Sequence, residues 1–352
     1  MEHLAGAATV RADDELGLGR TGPQLGKLDR LLRLADGVPL PAAVTYALLA
    51  IVELALAHLI VWSAGARPLG TLDETMVPAP ILGAYFLWLL HTLNRVGAEA
   101  FDDFRPALGD DPRADTYRIE LISIPDRMAV VAMLVSTLII DVVYYLTVRP
   151  LLPEVPPLVD LVSAVMWAGV AATMGVIALH TIRQMRLVSR LSARAANVDI
   201  FRPGPINALS RLTAVTAVAV LVFIALFVVT NPLQPLGFIL EEALIVALGV
   251  ASFVLPLRAM HKRLQVEKSR LADDAQIRLK LTLARVHASI DTNDLSESER
   301  LHDSLATVLA ERDVVAKLPT WPWSASTFRG FTSALLLPVV IFVITQLIAR
   351  LL

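Results

Sequence analysis

The sequence has no cysteine, which excludes disulfide bonds, a thiolate metal site and a cysteine nucleophile. Charged residues are scarce as well, because Asp, Glu, Lys and Arg make up only 18% of the chain, against roughly 25% in a soluble domain. Lysine is rarer than arginine, a bias that indicates a GC-rich prokaryotic genome. In place of charge, 55% of the residues are hydrophobic and the mean hydropathy is +0.62. This composition predicts an integral membrane protein.

The sequence also lacks the motifs that carry common enzyme chemistry. It contains no P-loop, no H-E-x-x-H and no G-x-S-x-G, and no two histidines have metal-ligand spacing on one helix. We therefore predict no catalytic residue, no metal site and no cofactor, and a function other than that of an enzyme.

Seven apolar stretches are long enough to be considered as membrane spans. A bilayer core of about 30 Å requires about 20 mostly apolar residues in a helix. The stretches cover residues 41–63, 77–93, 128–148, 158–182, 206–230, 238–257 and 326–348. The second is the shortest and ends among polar residues, His91, Asn94 and Arg95. We predict an all-α integral membrane protein built as a seven-transmembrane helix bundle.

Basic residues are concentrated in alternate loops between these spans. They precede span one and lie between spans two and three, between four and five, and after span six. The opposite loops carry only Arg67 and Arg149. Because basic loops stay on the cytoplasmic side, we predict a cytoplasmic N-terminus and a C-terminus outside. The predicted location is the plasma membrane, the inner membrane of a prokaryote.

The arginine-rich stretch MRLVSRLSARAANVDIFRPG, at residues 185–204, lies against the predicted membrane surface. Basic segments beside a bilayer attract the negatively charged headgroups of its cytoplasmic leaflet. The expected partner of these loops is therefore anionic lipid and not nucleic acid.

An amphipathic pattern follows span six. Apolar residues recur in steps of three, four and seven over residues 259–290, which is typical of a helix with one apolar face. DTNDLS then interrupts the pattern, and a second helical pattern follows. We predict a cytoplasmic helical hairpin, packed against a second copy of the chain or the basic loops, or only on itself. The predicted segments are a cytoplasmic N-terminal tail (1–38), a six-helix transmembrane region (39–258), the hairpin (259–318), and a Trp-Pro re-entry with the seventh transmembrane helix (319–352).

The stretch LPTWPWSASTFRG, at residues 318–330, connects the hairpin to the last span. Its two prolines cannot continue a helix and predict a turn toward the bilayer. Trp321 and Trp323 suit the headgroup zone, where an indole has one apolar and one wet side. We predict that they are interface anchors, with an aromatic cage for a ligand as the alternative. Ser324 or Ser326 is expected to cap the next helix.

Two carboxylates fall inside predicted spans, where ionisable groups are costly and often functional. Glu53 lies midway through span one, and Asp141 lies past the middle of span three. At about 100° per residue, Thr137, Tyr144 and Tyr145 share a face with Asp141, which predicts hydroxyl groups around it. A hydrogen-bonded structural aspartate is the alternative to a functional one.

Span seven carries a stripe that is polar at both ends and apolar in its middle. In a symmetric oligomer such a stripe would line a pore with a hydrophobic gate. Alternatively, the arginines at its two ends simply reach the two interfaces. The pore-lining candidates are Thr332, Leu336, Val339, Val343 and Gln346.

Two motifs carry a resemblance. FRPGPINALSRLTA, at residues 201–214, and KLPTWPW, at 317–323, resemble a family of uncharacterised prokaryotic multi-pass membrane proteins, from about span two to the end. This resemblance implies no activity and no functional residue. In topology alone the chain is similar to insect chemoreceptor channels, which also have seven spans, a cytoplasmic N-terminus, a cytoplasmic helical region before the last span and a pore lined by that span.

Three functional hypotheses follow. The first is a homo-oligomeric channel or chemosensory-type receptor, in which the hairpin joins the subunits and span seven faces the axis. The second is a secondary transporter that uses Asp141 and Glu53 within one subunit. The third is a non-catalytic membrane scaffold whose hairpin docks a cytosolic partner.

Overall fold

In a computed structural model, residues 26–149, 155–230, 236–292 and 296–351 are described. The structure is 85% helical, and no strand occurs within these ranges. The described helices are α1 (Lys27–Leu34), α2 (Ala42–Ser63), α3 (Pro78–Leu108), α4 (Ala114–Ile122), α5 (Asp126–Val143), α6 (Pro157–Arg194), α7 (Pro203–Thr230), α8 (Leu236–Val254), α9 (Arg258–Asp291), α10 (Ser298–Lys317) and α11 (Ala325–Leu351). The all-α prediction is confirmed.

Five helical stretches of the described chain are long and apolar enough to cross a membrane. They are Ala42–Ser63, Ala114–Leu146, Pro157–Arg194, Pro203–Ala225 and Ala243–Asp291. A shorter apolar stretch, Ala325–Ile341, belongs to α11. Each of the seven predicted spans coincides with a helix, but the count of seven and the orientation stay predictions.

The chain forms two compact units. Of the described residues, the first unit contains those up to Ala98 and those in Pro112–Leu187, and the second contains Glu99–Asp111 and those from Val188 onward. The first therefore holds α1, α2, α4, α5 and most of α3 and α6. The second holds the last turns of α3 and α6 together with α7 to α11. The residues predicted as hairpin and last span both belong to the second unit.

Within the first unit, α5 and α6 approach closely at Gly175. A Cβ at this position would lie 2.6 Å from the Ala132 carbonyl oxygen and closer still to Ser136 Oγ. The Ser136 hydroxyl is itself held there, because it donates to the Ala132 carbonyl at 2.7 Å. One helix pair of this unit therefore depends on a residue with no side chain, as is common between membrane helices.

Within the second unit, α11 packs on α7, which in turn packs on α8. The buried cluster at this packing consists of small and aliphatic residues of α7, one phenylalanine of α8 and one of α11. Its members are Ala214, Ala217, Leu221, Phe253 and Phe331. The small α7 residues leave room for the two aromatic rings, so α11 docks close to α7.

The two helices predicted after span six form as α9 and α10, and they pack against each other. Arg278 of α9 pairs with Glu311 of α10. The Lys268 ammonium donates to the carbonyls of Ala316 and Leu318, each at 2.7 Å. The Lys268 ammonium thus satisfies carbonyls at the C-terminal end of α10, where a helix carries partial negative charge.

Candidate functional site

The pore-lining candidates lie on α11, away from its packing face. Phe331, Ala334 and Leu335 face the cluster with α7 and α8. Four of the five candidates are exposed in the single chain: Thr332, Leu336, Val339 and Val343. Leu336 is 55% exposed and Val339 59%. The side chain of Gln346 lies outside the described residues. The four described residues of the predicted stripe are thus uncovered by their own chain.

The two intramembrane carboxylates are half-buried on their helices. Within the described residues, neither the Glu53 nor the Asp141 side-chain carboxylate accepts a hydrogen bond or forms an ion pair. The Thr137 hydroxyl group, which was predicted to lie beside Asp141, donates its hydrogen bond to the Ala168 carbonyl at 3.4 Å and not to the Asp141 carboxylate. Directly after the α-helix that carries Asp141, the backbone forms a π-helical turn at Tyr144–Val148.

The two predicted anchors, Trp321 and Trp323, form part of a column of stacked rings. His261 stacks on Trp321 at 3.9 Å between centroids, and Trp321 stacks on Trp323 at 4.3 Å. The column continues from Trp323 to Phe253 at 5.1 Å and from Phe253 to Phe331 at 4.2 Å. The indoles therefore connect the N-terminal end of α9 with α8 and α11. Their role at a membrane interface stays a prediction.

Backbone contacts fix this column at both ends of the connecting segment. The His261 ring pairs through Nδ1 with the Thr320 carbonyl at 2.8 Å. The hydroxyl oxygen of Ser324 accepts a hydrogen bond from the Thr327 amide at 3.1 Å, which caps the start of α11. Of the two serines expected to cap this helix, Ser324 is the one that does so.

The sequence analysis missed a polar cavity in the first unit. It encloses about 220 Å³ and lies among α1, the middle of α3 and α4. Its walls carry three arginines, two aspartates, a histidine, an asparagine and three apolar residues. The lining residues are Asp29, Leu32, Arg33, Asp36, His91, Asn94, Arg95, Ala98, Arg118 and Ile122.

Asp29 fastens α1 to the end of α4. Its side chain is only 2% exposed, and Oδ2 accepts hydrogen bonds from the amides of Gly26 and Ile124, each at 3.2 Å. The Asn94 amide group lies 3.5 Å from Oδ1. A Cβ on Gly26 would lie 2.5 Å from the Ile124 carbonyl oxygen, so only glycine allows this approach. Part of the predicted tail is thus an anchored helix.

Burial raises the pKa of Asp29 above its ordinary value of 3.8, although the amides of Ile124 and Gly26 oppose the shift. The folded chain therefore holds this proton at a higher pH than the unfolded chain. The resulting stabilisation is full below pH 3.8 and is lost as the pH rises through the raised pKa. Lowering the pH from neutral through this window should stabilise the wild type more than Asp29→Asn. Melting temperatures of both proteins over a pH series measure the difference, and parallel curves would contradict it.

His91 and its neighbours form another wall of the cavity. His91 Nε2 lies 3.2 Å from Asp36 Oδ1, and the His91 ring meets the Tyr46 ring edge-on at 6.0 Å. These contacts connect α3 to α2 and to the turn after α1. The polar residues that were taken to end span two are therefore wall residues of a site.

Among the described residues, no three His, Asp or Glu side chains come together as a metal site requires. The arrangement that does exist is a cavity with an excess of guanidinium groups over carboxylates. Chemically, it offers hydrogen-bond donors and positive charge to an anion. The sequence does show a concentration of basic residues around α1 and α4, but we interpreted it only as a signal of membrane orientation.

By length and composition, the apolar helices are compatible with a multi-pass membrane protein. No protein-family model matches the chain, and neither the curated proteins nor the solved structures give a match. The function proposed below rests on the geometry of the described residues.

Proposed function

We propose that the protein is a homo-oligomeric membrane channel or chemosensory-type receptor in which α11 faces the symmetry axis. The observation that carries the proposal is the stripe on α11. Thr332, Leu336, Val339 and Val343 are exposed, while Phe331 on another face is buried against α7 and α8. An apolar stripe with polar ends is the pattern of a pore that closes by dewetting.

The surface of α9 and α10 supports an assembly of several copies. These helices are mostly polar, yet they carry large apolar side chains that their own chain leaves exposed. Examples are Val266, Ile277, Leu281 and Val314, exposed by 54% to 70%. Exposed apolar groups on a polar helix pair support an interaction surface, and a second copy of the chain would cover them.

The remaining features of the proposal follow from composition and charge. The protein would reside in the plasma membrane of a prokaryote, with the basic loops on anionic lipid. It would act without a catalytic residue or cofactor.

The oligomer and the pore are tested together. Native mass spectrometry of the full chain should show one discrete oligomer. Because the chain has no cysteine, single cysteines report water access without background. We expect Val339→Cys to react with a water-soluble thiol reagent and to lose conductance on reaction. Leu337→Cys, roughly on the opposite side of the helix, is the matched control and should stay unreactive. A monomer, or equal reactivity at both positions, would contradict the proposal.

A second candidate is supported by the two carboxylates. The side-chain carboxylates of Glu53 and Asp141 have no hydrogen-bond or ion-pair partner within the described residues, and such groups inside membrane helices commonly serve ion or proton transfer. We propose a proton-coupled carrier as the alternative. A monomer in which Asp141→Asn abolishes proton-dependent flux and Asp141→Glu retains it would favour this carrier over the channel.

A further inference from the structure

We propose that the cavity lined by α1, α3 and α4 binds a phosphate monoester, through the guanidinium groups of Arg33, Arg95 and Arg118. This inference does not depend on the channel or the carrier. The juxtaposition behind it is specific: three segments that are distant in the sequence each contribute one arginine to a single cavity of about 220 Å³.

The charges in the cavity favour an anion. The cavity is lined by three arginines and two aspartates, so its walls carry an excess of positive charge. Guanidinium groups present planar pairs of N–H donors that match the oxygens of a phosphate. The three arginines belong to α1, α3 and α4 and so line the cavity from three helices, which suits a tetrahedral anion better than a flat carboxylate.

Each of the two aspartates in the cavity wall contacts other groups of the protein. Asp29 directs its oxygens to the amides of Gly26 and Ile124 and toward Asn94. Asp36 lies beside the His91 ring at 3.2 Å. Both carboxylates therefore hold the frame of the cavity together, and their repulsion of an anion is weakened by these donors.

The charge of the ligand points to a monoester and not a diester. A phosphate monoester carries about −1.5 to −2 charge at pH 7, and a diester carries less. Three guanidinium groups therefore favour the monoester. The Oδ1 atom of Asn94 is buried and has no hydrogen-bond partner within the described residues, so it is an acceptor for a donor group of the ligand.

A lipid headgroup and a soluble phosphorylated compound share this chemistry. The cavity lies at the basic ends of the predicted spans, where anionic headgroups collect. Two probes distinguish the sources. Phosphatidic acid, titrated onto the full chain in detergent, is followed by native mass spectrometry. Inorganic phosphate, with chloride as the reference, is followed by the melting temperature.

A double variant tests the arginines. We expect Arg33→Gln with Arg118→Gln to weaken binding of the effective probe by roughly tenfold or more, since each removes charged hydrogen bonds. Arg127→Gln is the matched control, because Arg127 is exposed in the same unit and does not line the cavity. The single variant Arg33→Gln, an exposed position on α1, replaces the double variant if that one does not fold.

Selective retention of phosphatidic acid supports a lipid headgroup, and protection by inorganic phosphate alone supports a soluble ligand. Both outcomes support the phosphate site if the cavity variants lose binding and Arg127→Gln does not. Equal binding by wild type, cavity variants and control overturns the proposal, as does a wild type that binds neither probe.

Discussion

Replacing Gly175 by alanine should destabilise the first unit, whereas the same replacement at Gly169 in the same helix should be neutral or stabilising. A Cβ at Gly175 meets the Ala132 carbonyl at 2.6 Å, and backbone atoms cannot move aside as a side chain can. A Cβ at Gly169 meets nothing within 4 Å. Alanine favours a helix over glycine by about 1 kcal/mol at either site, so the pair isolates the effect of crowding.

The expected cost at Gly175 is about 1–3 kcal/mol, which is typical of overpacking, less the gain in helix propensity. Gly175→Leu should cost more, because it separates α5 from α6. The melting temperatures of both Gly175 variants are measured on the detergent-purified proteins, with size-exclusion chromatography as the readout of thermal unfolding. Equal melting temperatures for Gly175→Ala and Gly169→Ala would show that the helices are not in close contact at this point.

Trp323→Ala should loosen the second unit, because this indole is the central ring of the stacked column. It contacts the ring of Trp321 on one side and the ring of Phe253 on the other. The centroid of the Phe328 ring lies 5.7 Å from that of Trp323. Truncation of a buried tryptophan usually costs about 3–5 kcal/mol. Trp323 is half-buried, so we expect about 2–4 kcal/mol, and faster proteolysis of the segment that precedes α11.

Two further variants separate stacking from mere loss of volume. Trp323→Phe keeps a ring in the column and should recover most of the stability. Trp167→Ala removes an indole that is also half-buried but has no ring contact within the described residues, so its cost should be smaller. If Trp323→Ala and Trp167→Ala lower the melting temperature equally, the column contributes nothing beyond burial.

The helices of the second unit were well predicted because their signals are local. The apolar stretches of α7 and α11, the amphipathic pattern of α9 and the serine cap at Ser324 each depend on residues within a few turns. The stacking of Trp321 on His261 was not predicted, since it joins residues on separate elements. An indole next to a proline fits a headgroup zone and a ring column equally well.

The cavity of the first unit could not be predicted for a similar reason. Asp29 anchors α1 by accepting a hydrogen bond from the Ile124 amide, which is distant in the sequence. Likewise, His91 and Asn94 were taken to mark the end of a span, although α3 continues to Leu108. Polar residues end the apolar part of a membrane helix, but they do not end its hydrogen bonding.

The cluster between α7 and α11 also has a consequence for biosynthesis. Ala217 and Leu221 leave the ribosome early, but Phe331, which covers them, follows only after α8, α9 and α10. During translation, the face of α7 that later contacts Phe331 therefore remains uncovered in the bilayer until α11 has been synthesised. The closing contact is the last to become available, and a chain that stops before α11 would present this face to the machinery that removes incomplete membrane proteins.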